Sequence, residues 1–277
     1  GVSIRVSIPS GFSGTLNYFC TNHSGMNDSF NVQSPPHIVE LNASLNLTML
    51  WVEPGSFTMG TPTSEGSRGA DENETQVSLS RGFYLGKYEV TQAEYEFVMT
   101  GNSDGIDATP NYFPGHSDRP VEGVKYGDIQ VFIQRLNEQM ASTIPAGWAY
   151  VLPTEAQWEY ACRAGTNTAY SWGGSIASND ANYNWDGNYN TGSDYQQTRD
   201  VGQYSPNAWG FYDMHGNVRE WVTDWYGEYA VGPLTDPTGV TSGTNRVIRG
   251  GAWWDAAIYL RSGARYSADL NYVNGGV

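Results

Sequence analysis

Cysteine is nearly absent from this 277-residue chain. Only Cys20 and Cys162 occur, which excludes a disulfide framework and leaves one bridge or two free thiols open. Histidine is scarce too: His23, His37, His116 and His215 are present, and no two are close in sequence. Lysine and arginine number 14 against 29 acidic residues, a formal net charge of −15. That balance repels nucleic acid and anionic membranes over most of the surface, so neither is an expected partner. No apolar run approaches the roughly 20 residues that span a bilayer, so direct membrane insertion is not expected. The N-terminus lacks a basic segment followed by an apolar core, so any export signal would lie outside these residues.

What the chain does contain is turn chemistry and aromatic surface. Charged residues make up only 16% of it, while Gly numbers 33, Tyr 19 and Trp 10, a composition that favours long loops packed by aromatics over long solvated helices. The length suffices for one large domain with a small appendage.

Residues 1–48 read as a small β-rich segment. Val2, Ile4, Val6 and Ile8 share one parity, a second strand is expected over Gly14 to Cys20, and a third from His37 towards Leu50. The stretch Tyr18 to Met26, with Cys20, His23 and Met26, resembles the C-terminal loop of cupredoxin-like copper domains. No His precedes His23 and the Cys-to-Met spacing is short, so no copper is expected and the segment reads as structural or connecting.

From Met49 the signals sharpen. Thr91 followed by Glu94 forms a capping-box pattern that opens a helix, Asp128 to Met140 carries Ile129, Phe132, Ile133 and Leu136 at helical spacing, and Thr154 caps a third helix running to Arg163. Beyond Ala164 turn residues dominate, apart from short aromatic strands over Glu220 to Tyr226 and Val247 to Trp253. Few helices against small twisted sheets make an α+β arrangement. Six ordered blocks stand out: Trp51 to Gly60, Phe83 to Tyr95, Arg119-Pro120-Val121, Leu152 to Ala161, Gly216 to Trp221 and Arg249-Gly250-Gly251. In this order and spacing the chain resembles the formylglycine-generating enzyme, or sulfatase-modifying-factor, family over residues 49–277. The resemblance implies the C-type-lectin-like fold used by that family.

The family's oxidase chemistry depends on paired cysteines after Arg-Gly-Gly, and the aligned positions here are Asp255 and Leu260, neither of which supplies a thiolate. Related sulfoxide synthases need three histidines, which the spacing of the four here does not offer. His215 reads as a structural hydrogen-bonding residue. No catalytic residue is therefore assigned. The pattern Arg249-Gly250-Gly251-Ala252-Trp253, Leu260-Arg261-Ser262 and Arg265 instead resembles the fixed skeleton of the variable proteins of diversity-generating retroelements, a branch with the same fold. Residues between these anchors, namely Trp254, Asp255, Ile258, Tyr259, Tyr266, Ser267, Asp269, Leu270, Tyr272 and Asn274, are the expected ligand-contacting positions. Their mixture of rigid aromatics and adaptable polar groups suits a paratope-like surface. Trp253 is expected in the core, and Gly250 and Gly251 are expected to serve backbone geometry.

The same resemblance points to structural Ca²⁺, which takes hard oxygen donors. Asn182 and Asp194, with carbonyls of Tyr183 and Gln196, would form one site, and Asn217, Val218 and Glu220 would contribute to a second. No Glu-Pro-Asn or Gln-Pro-Asp segment is present, which weighs against lectin-type sugar binding. The partner is then a protein or other surface ligand of unknown identity, in a cell-surface, secreted or virion-associated setting, with oligomeric state open. A divergent enzyme of the family and a structural module of a surface assembly are the alternatives. The family's terminal block continues with Gly-Phe-Arg after a position like Val277, so the last strand is expected to be incomplete.

Overall fold

The structure is a computed structural model that describes residues 14–19, 27–32, 35–184 and 197–277. The expected strand over Val2 to Ile8 and the Cys20, His23 and Met26 triplet lie outside those residues.

Strands β1 (Gly14–Phe19) and β2 (Asn27–Val32) form an antiparallel pair of their own. The single strand expected from His37 is two: β3 (His37–Asn42) turns at Ala43-Ser44 into β4 (Leu45–Val52). Asn42 makes the turn, because its Oδ1 accepts from both Ser44 N (2.9 Å) and Ser44 Oγ (3.1 Å), a local bond that competes with continued strand. The boundary drawn at residue 48 falls inside β4, which pairs in register with β7 (Phe83–Gly86), so β3 and β4 are continuous with the sheet of the main fold. A second three-stranded sheet joins β5 (Gly55–Met59), β6 (Thr75–Leu79) and, in parallel, β9 (Leu234–Thr235). A third joins β8 (Glu220–Trp225), β10 (Asn245–Arg249) and β11 (Tyr266–Asp269).

The three helices start where their capping residues say. In α1 (Gln92–Met99) Thr91 Oγ1 accepts from Glu94 N, and Glu94 Oε2 accepts from Thr91 N at 2.7 Å. In α2 (Tyr126–Gln139) Asp128 accepts from the Lys125 N–H. In α3 (Glu155–Arg163) Thr154 and Gln157 exchange the same reciprocal pair of bonds. Helices α1 and α2 bury Tyr95, Val98, Met99, Phe132 and Leu136 against Val39 and Leu41 of β3. Helix α3 lies in a second core with Val52, Val77, Phe211, Val222 and Val247, and its Trp158 is fully buried. The fold is α+β, as expected, with the third sheet carrying the C-terminal segment.

Candidate functional site

The C-terminal segment is held from beneath by arginines. Every residue of α3 from Glu155 to Arg163 except Gln157 is buried, so its charged groups meet partners inside the protein. Arg265 makes a bidentate pair with Glu155, at 2.9 and 2.7 Å. Arg249 is fully buried, pairs with Glu159 and donates to the Ala264 carbonyl. Arg261 grips Glu72 through both terminal nitrogens at 2.8 Å and reaches Glu65 at 2.9 Å, tying residues 258–265 to the loop after β5. Such planar, bidentate pairs fix orientation as well as position.

The glycines do the conformational work expected of them. Gly250 and Gly251 have φ of +90° and +76°, and a Cβ on Gly251 would sit 2.8 Å from Leu260 Cδ1, so the chain can bend back over Leu260 only without a side chain there. Leu260, Ser262 and Ala252 are fully buried. Trp253, expected in the core, is only half-buried: its Nε1 donates to the Gly275 carbonyl at 2.8 Å and its ring packs edge-on against Phe113 and Trp254.

Above this frame lies an aromatic face. A short 3₁₀ turn, Ala257–Tyr259, leaves Ile258 and Tyr259 exposed at 40% and 42%. Tyr259 meets Tyr266 edge-on at 5.6 Å, and the Arg219 guanidinium lies 4.8 Å from the Tyr266 ring and 5.8 Å from the Trp254 ring. Tyr272 is half-buried and its hydroxyl accepts from Asn274 Nδ2. Tyr259 is therefore exposed, whereas Trp254, Tyr266, Tyr272 and Asn274 are part-buried, with Tyr266 and Tyr272 packed against the core beside Ala268 and the Tyr266 hydroxyl enclosed. Leu270 is also exposed, at the end of β11.

Two groups of expected contact residues behave differently. Asp255 is buried: it accepts from Arg219 Nε and Nη2 at 2.8 and 2.6 Å and from Ala252 N at 2.8 Å, so its carboxylate is a strut of the turn and offers no contact surface. Ser267 and Asp269 are exposed, but they alternate with half-buried Tyr266 and buried Ala268 along β11 and so point to the opposite face of the sheet from Tyr266. Arg219, which orders the aromatic face, was not singled out from sequence, because a lone arginine three residues past the loop glycine Gly216 carries no periodic signal. Trp172 was missed too. It stacks on Tyr170, whose hydroxyl donates to the Ala257 carbonyl, and it stays 42% exposed.

The buried thiol is inert. Cys162 Sγ lies 3.6 Å from His215 Nε2, but burial pushes the thiol up to about 12 and the imidazole down to about 4, so both are neutral at pH 7. His215 has the structural role expected of it. Its Nδ1 donates to the Leu260 carbonyl at 2.7 Å and its Nε2 accepts from Ser171 N.

The calcium positions differ in fit. Asn182 Oδ1 is buried and accepts no hydrogen bond among the described residues, so it is free to take a hard-cation contact. Tyr183 is buried beside it, whereas Asp194 and Gln196 lie outside the described residues. In the second set, Asn217 Oδ1 accepts from Asn182 Nδ2 and Arg199 N and its main-chain carbonyl accepts from Trp253 N, while Val218 N donates to Glu89. N–H donors thus satisfy Asn217, and its oxygens do not fit a metal. Glu220 faces a cavity, and burial with the nearby Asp213 charge raises its carboxyl to about 7. Among the described residues no cluster of three or more His, Cys, Asp or Glu forms a metal site.

Comparison with known proteins fits this arrangement. The family model for the sulfatase-modifying factor enzyme 1-like domain matches residues 37–273. The chain belongs to that family. The formylglycine-generating enzyme of Mus musculus is 30% identical over 260 residues, covering 74% of this chain, and that of Streptomyces coelicolor is 36% identical over 150 residues. The chain spans 66% of the mouse enzyme's length and 65% of the Bos taurus enzyme's. Among solved structures, variable protein 1 of Treponema denticola superposes with a TM-score of 0.69 at 26% identity, covering 87% of this chain and 96% of that one. PvdO of Pseudomonas aeruginosa superposes with a TM-score of 0.73 at 27% identity, covering 88% and 97%. Both the family resemblance and the variable-protein resemblance seen in the sequence hold, and family membership carries the C-type-lectin-like fold with it.

Proposed function

We propose that this family member is a non-catalytic recognition protein that presents Trp254, Tyr259, Tyr266 and Tyr272, with Ile258 and Asn274, to a protein or other surface ligand. One observation supports the reading: within residues 249–277 Arg249, Arg261 and Arg265 are buried and ion-paired, while Ile258 and Tyr259 are exposed and Trp254, Tyr266, Tyr272 and Asn274 keep part of their surface in solvent. Replacing an exposed member leaves the arginine anchors intact, so the arrangement tolerates diversification of the kind a retroelement produces. Large rings with few rotatable bonds supply contact area at low entropic cost, and the Asn and Tyr polar groups supply adaptable hydrogen bonds.

Calcium belongs to the same reading as a structural ion, held by the Asn182 side chain and the Tyr183 carbonyl, with Asp194 and Gln196 as the further proposed ligands. A protein of this kind would act at a cell surface, in secretion or on a virion. The formylglycine-generating relatives favour a second reading, a divergent oxidase. Against it stand Asp255 and Leu260, both buried, at the positions where that chemistry requires thiolates.

Deep sequencing of this gene across clonal relatives tests the proposal. Substitutions concentrated at codons 254, 258, 259, 266, 272 and 274 support it, and a segment as constrained as the rest of the gene overturns it. Formation of formylglycine from a cysteine-containing substrate peptide would establish the oxidase instead.

A further inference from the structure

Trp172 lies far from the C-terminal segment in sequence, yet it is built on the same support as the turn that carries Ile258 and Tyr259. Residues 170–173 close on themselves, because Tyr170 N donates to the Gly173 carbonyl at 2.9 Å and Gly173 N donates back to the Tyr170 carbonyl at 3.1 Å. The Tyr170 ring stacks on Trp172 with centroids 5.5 Å apart and 8° between the planes, and His215 meets the indole at a steep angle at 4.8 Å. Both supports reach across to the C-terminal turn: the Tyr170 hydroxyl donates to the Ala257 carbonyl at 2.8 Å, and His215 Nδ1 donates to the Leu260 carbonyl at 2.7 Å. Ala257 and Leu260 bracket Ile258 and Tyr259, and both pack in one apolar cluster with Tyr170. One ring contact and one hydrogen bond therefore link the indole to each end of that stretch.

The polar groups around this patch are already engaged. Trp172, like Ile258 and Tyr259, is exposed, but its Nε1 donates to the Ser175 carbonyl at 3.0 Å. The Ala257 carbonyl accepts a second bond from Leu260 N at 3.1 Å, and the Ile258 carbonyl accepts from Arg261 Nε at 2.8 Å. The solvent-facing part of the indole thus offers hydrocarbon and π surface and no free donor. A sugar or small polar ligand is oriented by polar groups placed beside its apolar contact, whereas a protein partner gains most from a large ring that desolvates an apolar side chain. Held by Tyr170, His215 and Ser175, the indole has little side-chain freedom left to lose on binding.

We infer that Trp172 is a fixed contact on the flank of the proposed ligand face and that, with Ile258 and Tyr259, it receives an apolar side chain of a protein partner. The inference rests on the recognition reading above and adds to it a position outside the C-terminal segment. Trp172 supplies contact area that stays constant while residues 254–274 change, so that differently diversified faces share one apolar anchor.

The test uses the 277-residue protein labelled with 5-fluorotryptophan, and disulfide-closed seven-residue peptides selected on the unlabelled protein from a random phage library. The fluorine signal missing from Trp172→Phe marks the indole. Selected peptides are expected to shift that signal, to carry an aliphatic or aromatic residue whose replacement by serine abolishes the shift, and to bind Trp172→Ala and Ile258→Ser about tenfold or more weakly. The shift is read on the unsubstituted protein, so it decides the matter even where Trp172→Ala lowers stability. Peptides that lose affinity with Ile258→Ser and Tyr259→Ser but leave the Trp172 signal unmoved overturn the inference and keep the recognition reading. Peptides indifferent to all three positions, or a library that yields no binder, overturn the inference together with the reading it rests on. A Trp172 signal shifted by cellotriose and by no selected peptide would overturn it in favour of a sugar.

Discussion

At the scale of single residues, this protein separates positions that support from positions that contact. Asp255 and Arg219 form a pair that is mostly buried, and removal of one partner leaves an uncompensated charge. Asp255→Ala is expected to destabilise the fold by about 3–5 kcal/mol in urea denaturation. Tyr259→Ser and Ile258→Ser should stay within roughly 0.5 kcal/mol of the parent, because both side chains already face water. Asp224 gives a prediction of a different kind. Its carboxylate is buried beside the Glu155 charge and accepts from Glu155 N at 2.9 Å, and burial foremost raises it to about 7. A carboxyl raised on folding binds its proton more tightly in the native state, so its contribution is intact at low pH and stability falls as pH rises through about 7. Asp224→Asn keeps the acceptor oxygen and removes the titration. The variant should gain stability over the parent as pH rises from about 5 to 8, and parallel curves for the two proteins would refute this.

Elements were readable where a local bond decides them. The starts of α1 and α3 followed from their N-cap threonines, whereas α2 begins at Tyr126, two residues before the Asp128 expected from apolar spacing. Thr154→Ala should cost about 1 kcal/mol of stability by thermal unfolding, with Thr154→Ser close to neutral. The turn at Asn42 was not read, because apolar and polar residues alternate without a break from Val39 to Met49 and so mask a two-residue reversal held by one side-chain oxygen. Strand β11 was not read either. Tyr266 to Asp269 alternates too briefly to stand out, and it becomes a strand because β10 offers an edge in register from Asn245 to Ile248. That pairing places Ser267 and Asp269 on the other face from Tyr266, which splits the expected contact set.

At the scale of the whole molecule, charge and loops set the expectations. The chain carries a net charge of −15, so its proposed ligand face works against an acidic background, and association with a basic ligand should slow as salt screens the steering field. The proposed calcium at Asn182 predicts that chelation lowers the midpoint of thermal unfolding and that re-addition of Ca²⁺ restores it in proportion to occupancy. Asn182→Ala should abolish the calcium response, and a midpoint indifferent to calcium would rule out the ion.

Sequence alone determined what rests on composition, short-range bonds and ordered blocks: the α+β class, the starts of α1 and α3, the glycine bend at Gly250-Gly251 and the family. It also singled out the terminal segment, since anchors and aromatics alternate there in plain view. Only the tertiary structure decided which of those side chains face water. Burial depends on what arrives from elsewhere in the chain: Arg219 turns Asp255 inward, Glu72 and Glu155 draw Arg261 and Arg265 beneath the surface, and the edge of β10 turns Ser267 away from Tyr266. These are contacts between residues some 20 to 190 positions apart, and no local pattern encodes them.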